Sequence, residues 1–320
     1  MSNKETRSDL ILKQLIKCFY LGYLNITLER EDAENLTWTK QKVFLKATVQ
    51  SELLQKFPVN CNFTRLFLKK LITFLEPYQE VHDDIYKFLC FTMENGLRKN
   101  EHCYRHYIIS GDIRNIITLK ETNKMVVNGT TGMRTWEAAL ILADWALCNK
   151  QIFENKKILE LGAGMGFTGI TIAKQIDVKS LTLTDCHSEV LQTLENNVQI
   201  NFSSFDRVDT SNGTFFKSKE RSIEVRSLDW CNIQYFPREL IPNILIGADL
   251  VYDPSIIKTL CNVIDIFLER NSNLEVYIAS VIRNEDTYNT FLNDLDSRDI
   301  TIDKLSHESV HVDWDNGINR

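Results

Sequence analysis

Alternating strand and helix segments after residue 156, a glycine-rich turn behind the first of those strands, and a carboxylate closing the next one predict an α/β fold. Repeated β–α units of this kind build a parallel sheet covered by helices on both faces. The chain has 320 residues, 43% of them hydrophobic, enough for one large α/β domain and a smaller unit with its own core. Residues 8 to about 100 differ in character, having apolar stretches at helical spacing and hardly any glycine.

Three stripes define that first region: Leu10, Ile11, Leu15, Ile16, Phe19 and Tyr20; Phe63, Leu66, Phe67, Leu71, Ile72 and Leu75; Val81, Ile85, Phe88, Leu89 and Thr92. Spacings of three and four place each set on one helix face and predict a packed helical region. The run His102-Cys103-Tyr104-Arg105-His106 would put two histidines on one face of a helix. A zinc-protease signature requires glutamate where Cys103 stands, and a third ligand is also needed, so no metal site is expected.

Past Gly111 comes the turn-rich Gly129-Thr130-Thr131-Gly132, then a helix from Thr135 to Ala146. Strands are predicted at Lys157–Leu161, Leu181–Asp185, Ile223–Leu228, Ile244–Asp249 and Glu275–Val281. Helices are predicted at Thr168–Gln175, Glu189–Asn201, Ser255–Glu269 and Glu285–Asp294. The polar stretch from Phe202 to Ser222 reads as a long loop, and weaker strands are expected near Ile300–Leu305 and Val310–Trp314.

Charge and composition narrow the function classes. A formal net charge of −6 argues against a nonspecific nucleic-acid binder, which carries a basic face. No stretch approaches the roughly 20 apolar residues that span a bilayer. The start, MSNKETRSDL, lacks a signal-peptide core, so a cytoplasmic protein is expected. The eight cysteines have no C-x-x-C spacing and read as free thiols of a reducing compartment.

In an open α/β sheet, ligands bind beyond the carboxyl ends of the strands, where the glycine run Ile158–Ile170 falls. Glu160 precedes Gly162, Ala163 and Gly164, all four candidate cofactor contacts, and Gly166 completes three alternating glycines that let a ligand approach the backbone. Dinucleotide loops read G-x-G-x-x-G, but Phe167 stands where their third glycine belongs. The form here, an acid followed by G-x-G-x-G, resembles class I methyltransferases and so favours S-adenosylmethionine over NAD. Asp185 is suitably placed to accept hydrogen bonds from ribose hydroxyls, which suits either nucleoside cofactor. Asp229 is a candidate for the adenine amino group and Trp230 for packing on the ring. Ala248 leaves the cofactor room, while Asp249 and Tyr252 offer an acceptor and a hydroxyl near the methyl group. Leu250-Val251-Tyr252 replaces the proline-proline-aromatic segment typical of adenine amino-methyltransferases, which weakens a nucleic-acid reading.

At these residues the chain resembles the seven-β-strand protein methyltransferases of methyltransferase family 16. Their D-x-x-Y motif matches Asp249-Leu-Val-Tyr252, and their tryptophan before the first strand matches Trp136. Residues 61–72, Cys103-Tyr104-Arg105 and Asn128–Met133 narrow the likeness to the branch that methylates elongation factor 2. The resemblance implies a Rossmann-like seven-stranded domain over 111–320 and a helical N-terminal region, 1–110, for substrate recognition. It implies cofactor contacts from Trp136, Gly162, Ala163, Gly164, Asp185, Trp230 and Ala248, with Asp249 and Tyr252 bordering a lysine channel. The expected partner is a protein, elongation factor 2, trimethylated on lysine by a monomeric enzyme without direct nucleic-acid or membrane contact. A small-molecule methyltransferase and a non-catalytic binding protein share the same cofactor residues, and the acceptor distinguishes them.

Overall fold

The computed structural model describes residues 6–95, 102–122, 124–126, 129–306 and 311–313. Contacts divide the chain into two compact units, residues 1–118 with 313–320, and residues 119–312.

The first unit holds α1 (Arg7–Leu21), α2 (Arg30–Asn35), α3 (Trp38–Ala47), α4 (Glu52–Lys56), α5 (Cys61–Leu75) and α6 (Asp83–Asn95). Helix α1 starts at a capping box, with Thr6 and Asp9 each accepting the other's backbone N–H. It stops at Gly22, whose left-handed φ of 75° suits a residue without a β-carbon. Phe19, Phe44 and Phe67 meet at the centre, with ring centroids 5.1 to 5.9 Å apart. The expected stripes supply this core, but Leu10 and Leu66 lie on its exposed flank.

Residues 102–109 form a strand, β1 (His102–Ile109), adjacent to β2 (Asp112–Thr122) across a turn at Ser110-Gly111. The helical reading of His102–His106 therefore fails; the β-branched and aromatic residues that follow favour a pleated strand. His106 is buried, with Nδ1 bonded to Thr118 Oγ1 and Nε2 to the Phe57 carbonyl, both at 3.0 Å. Burial pushes its pKa down to about 4, and both ring nitrogens are taken.

The second unit begins within β2 and continues with α7 (Glu137–Cys148), α8 (Lys150–Phe153), β3 (Lys157–Leu161), α9 (Phe167–Gln175), β4 (Ser180–Asp185) and α10 (Ser188–Asn201). It goes on through β5 (Asp206–Thr210), β6 (Gly213–Lys217), β7 (Ser222–Ser227), β8 (Ile244–Ala248), α11 (Ile257–Arg270), β9 (Glu275–Ala279) and α12 (Glu285–Asp296). Sheet order is β5-β6-β7-β4-β3-β8-β9; β7, β4, β3, β8 and β9 run parallel, and β5 and β6 are antiparallel. The central strand β3 buries Ile158, Leu159, Glu160 and Leu161, so its apolar residues read as a run rather than an alternation.

The expected count of seven strands is met: β3, β4, β7, β8 and β9 fall where expected, and β5 and β6 take the place of the two weaker strands expected near 300–305 and 310–314. Residues 202–222 are not a plain loop: β5 and β6 form a hairpin around Ser211-Asn212, with Phe216 buried against the sheet and β5 exposed throughout. Residues 300–305 carry no strand, and only Val312–Asp313, named β10, pairs near the predicted 310–314 segment, beside β1. Val310 and Trp314 lie outside the described residues, as does Asn128.

Candidate cofactor and acceptor site

Most of the candidate residues follow the carboxyl ends of the parallel strands β3, β4, β7 and β8; Trp136 instead precedes α7. Gly162, Gly164 and Gly166 all adopt left-handed φ values, 56°, 53° and 84°. A β-carbon on Gly162 would stand 2.8 Å from Leu250 Cδ2, and one on Gly164 would stand 3.0 Å from the Gly132 carbonyl. Both glycines are therefore fixed by backbone conformation and by close neighbours together. The Ala163 N–H donates to the Thr184 carbonyl at 2.8 Å, tying this loop to the strand that ends in Asp185.

Glu160, counted among the expected cofactor contacts, lies beneath the loop. It is 2% exposed, and its Oε2 accepts the Gly169 N–H of α9 at 2.9 Å. Burial raises its pKa to about 8, opposed by the Gly169 N–H and the Thr168 side chain. The carboxyl occupies part of the helix start that would otherwise attract a phosphate. No lysine or arginine occurs from Ile158 to Ala173. A phosphate-free cofactor fits this donor set.

At the tip of β4, Asp185 Oδ2 accepts the Gly164 N–H at 3.2 Å and Oδ1 accepts the His187 N–H at 3.0 Å. Burial raises its pKa, while the backbone N–H groups of His187, Gly164 and Cys186 pull the other way. After β7, Trp230 stands over the loop, its Cζ2 3.8 Å from the ideal β-carbon position of Gly162. Asp229 caps the short helical turn Trp230–Tyr235, accepting the Cys231 N–H at 2.9 Å and the Asn232 amide at 2.8 Å.

Ala248 ends β8 and is partly exposed. Asp249 then turns left-handed at φ 59°, and its N–H donates to the Ala279 carbonyl at 2.8 Å, joining the ends of β8 and β9. Leu250 folds back beneath Gly247 and Gly162, buried. The Asp249 side chain is 8% exposed and pairs bidentately with Arg283, Nη1–Oδ1 at 2.6 Å and Nη2–Oδ2 at 2.7 Å. Tyr252 is half exposed. Trp136 precedes α7 and donates its indole N–H to the Thr131 carbonyl at 3.0 Å. The guanidinium carbons of Arg134 and Arg283 lie 5.0 and 5.2 Å from its ring centroid. Buried Glu121 holds this approach by accepting the Thr135 hydroxyl at 2.7 Å and N–H at 3.1 Å.

Arg283, Arg134 and Glu121 went unnoticed in the sequence. Arg283 is separated from Asp249 by 34 residues, and Glu121 lies in an ordinary strand pattern, so no local spacing marks either.

A glycine loop backed by a buried acid at the centre of this mixed seven-stranded sheet, with a carboxylate at the next strand tip, defines a class I, S-adenosylmethionine-dependent methyltransferase. The profile of the family described as lysine methyltransferase matches residues 115–298, and the chain belongs to that family. It is 32% identical over 259 residues to the human protein-lysine N-methyltransferase EEF2KMT, covering 78% of this chain and 75% of the relative. The cattle protein of the same name is 34% identical over 267 residues, covering 78% and 76%. The protein-lysine N-methyltransferase EFM3 of Saccharomyces cerevisiae is 27% identical over 233 residues, covering 68% and 62%. The activity is accordingly methyl transfer to protein lysine.

Proposed function

We propose that the lysine methylated is one of elongation factor 2, and that the methylation proceeds to trimethyl-lysine. The observation that carries this reading is a likeness extending over 78% of the chain, beyond the 115–298 core that the whole family shares. Residues 1–110 are then the region for substrate recognition, its segment 61–72 lying on α5.

Gly162, Ala163, Gly164, Asp185, Asp229, Trp230, Ala248 and Trp136 are assigned to the cofactor. When bound, S-adenosylmethionine supplies an electrophilic methyl group on a sulfonium. The glycine loop offers bare backbone, Asp185 a carboxylate for ribose hydroxyls, and Trp230 an apolar ring wall. Glu160 supports the loop from below through Gly169.

On the acceptor side, a lysine must arrive as the free amine, because its ammonium has no lone pair and an ordinary pKa of about 10.4. Asp249 and Tyr252 are assigned to hold that amine in line. Alignment at near-attack distance supplies much of the acceleration in such transfers, and the proton leaves through water. Full methylation by Asp249→Ala would remove that residue from the mechanism.

The deciding test incubates the protein and labelled S-adenosylmethionine with a lysate lacking this activity. Label on elongation factor 2, mapped to trimethyl-lysine by mass spectrometry, is the expected result. Label confined to other proteins or to small molecules overturns the assignment.

A further inference from the structure

Asp249 stands at the proposed acceptor side, yet both of its oxygens are already bound. Arg283, from the segment between β9 and α12, grips them at 2.6 and 2.7 Å. The carboxylate is 8% exposed and the guanidinium 43%, so the pair is shielded on the acid's side and open on the arginine's. A nearly buried carboxylate with no counter-charge would be costly, and a bidentate guanidinium is the strongest partner a side chain provides.

Two more charged groups bear on Arg283, one directly and one through the Trp136 ring. Glu137, at the start of α7, acts on Arg283 together with Asp249, and both raise the arginine's pKa. Arg134 stands at the Trp136 ring that Arg283 also covers. Tyr252, three residues past Asp249, offers a neutral hydroxyl. Arg283 is thereby held from two directions, by the Asp249 fork and by the indole of Trp136.

We propose that Arg283 is a positioning residue for methyl transfer: it fixes the Asp249 carboxylate and cancels its charge, so that the acceptor lysine meets a neutral pair. This rests on the reading that Asp249 borders the lysine channel. A bare carboxylate there would stabilise the ammonium form of lysine, the form that cannot attack sulfur. The paired carboxylate still accepts a hydrogen bond from the amine without holding its extra proton. Charge cancellation and geometry are separable, because lysine at position 283 would restore the charge but not the fork.

The test has two arms, both run on the full chain with wild type, Arg283→Gln, Arg283→Lys and the double variant Asp249→Asn/Arg283→Gln. The first measures binding of n-butylammonium, a lysine side-chain mimic, to protein saturated with S-adenosylhomocysteine. Arg283→Gln is expected to bind it about tenfold more tightly than wild type, an effect on the scale of one unit of pKa. Arg283→Lys should stay near wild type, and the double variant should lose the gain. The second arm follows the pH–rate profile of methyl transfer to elongation factor 2, where Arg283→Gln should shift the rise to higher pH by about one unit.

Equal n-butylammonium affinity in wild type and Arg283→Gln overturns the proposal. If Arg283→Gln does not fold, Arg283→Lys and the double variant decide: the proposal requires weak n-butylammonium binding by both, and tight binding by either overturns it. A wild type that leaves elongation factor 2 unlabelled overturns the substrate reading alone, because the n-butylammonium arm needs no protein substrate.

Discussion

The two walls of the candidate site, the turns after β3 and after β8, solve opposite problems. After β3 the chain removes side chains: Gly162 and Gly164 present backbone, while Leu250 packs close to Gly162 and the buried Glu160 carboxyl is turned to the Gly169 N–H. After β8 the chain does the reverse, presenting charged and polar side chains on a left-handed turn and steadying them from a segment 34 residues away. A wall of backbone tolerates no substitution, and its N–H groups are held by Thr184 and Asp185 at the neighbouring strand tip. A wall of charge tolerates conservative changes of shape and depends on its counter-ion. The same side chain, Leu250, packs under both, so the walls share one foundation.

The largest effect is expected on the backbone wall. Gly162→Val must place a branched side chain at φ 56° and against Leu250 Cδ2, 2.8 Å from where its β-carbon would sit. A left-handed conformation alone costs such a residue about 1–2 kcal/mol or more, and the clash adds to it. Calorimetry with S-adenosylhomocysteine should find affinity lowered by at least about a hundredfold. Near-normal affinity would mean that the loop does not touch the cofactor.

Next in size is Asp249→Ala, which should separate the walls. Cofactor affinity is expected to stay within a few-fold of wild type, while methyl transfer falls by about a hundredfold, the scale of a misplaced reactant. A matched loss of cofactor binding would show that the walls are not independent. A smaller loss is expected from Asp185→Asn, which keeps the shape but removes the charge from the hydrogen bonds assigned to ribose. Charged hydrogen bonds contribute about 1.5–3 kcal/mol, so cofactor affinity should fall by about ten- to a hundredfold, with the rate at saturation unchanged.

The contrast between the walls also explains what the sequence disclosed. The glycine wall is local: strand, acid, three glycines and helix lie within 13 consecutive residues, so Gly162 and Gly164 could be picked out directly, and Asp185 closes the next predicted strand. Strands β3, β4, β7 and β8 were legible too, β3 and β8 as short apolar runs and β4 and β7 as apolar–polar alternations. The hairpin β5–β6 was not, since β5 is Asp-Arg-Val-Asp-Thr, exposed on every residue, and is held by backbone pairing that leaves no apolar pattern. Asn212-Gly213, at the end of the turn and the start of β6, was the available hairpin cue. Arg283 had no cue at all, because an ion pair across 34 residues exists only after β8 and β9 lie side by side.

The smallest effect concerns the buried acid behind the glycine wall rather than the wall itself. Glu160 has its pKa raised to about 8 by burial, so the folded chain keeps a proton that an unfolded carboxylic acid releases near its ordinary value of 4.5. Stability from this group is complete below that value and declines as pH rises toward 8. The slope is roughly one to two kcal/mol per pH unit while only the folded state holds the proton. His106 works in the opposite sense: burial lowers its pKa from 6.5 to about 4, so its contribution is lost as pH falls below 6.5. The two slopes oppose each other at mildly acid pH, which leaves pH 6.5 to 8 as the window where, of this pair, Glu160 acts alone. Glu160→Gln keeps an oxygen for the Gly169 N–H and replaces the acid's proton with an amide that does not titrate. Its melting temperature should therefore fall less than that of wild type between pH 6.5 and 8, with cofactor affinity at the lower pH preserved. Parallel curves for the two proteins would show that Glu160 is ionised in its buried site, and the loop would then rest on a charge rather than on a neutral acid.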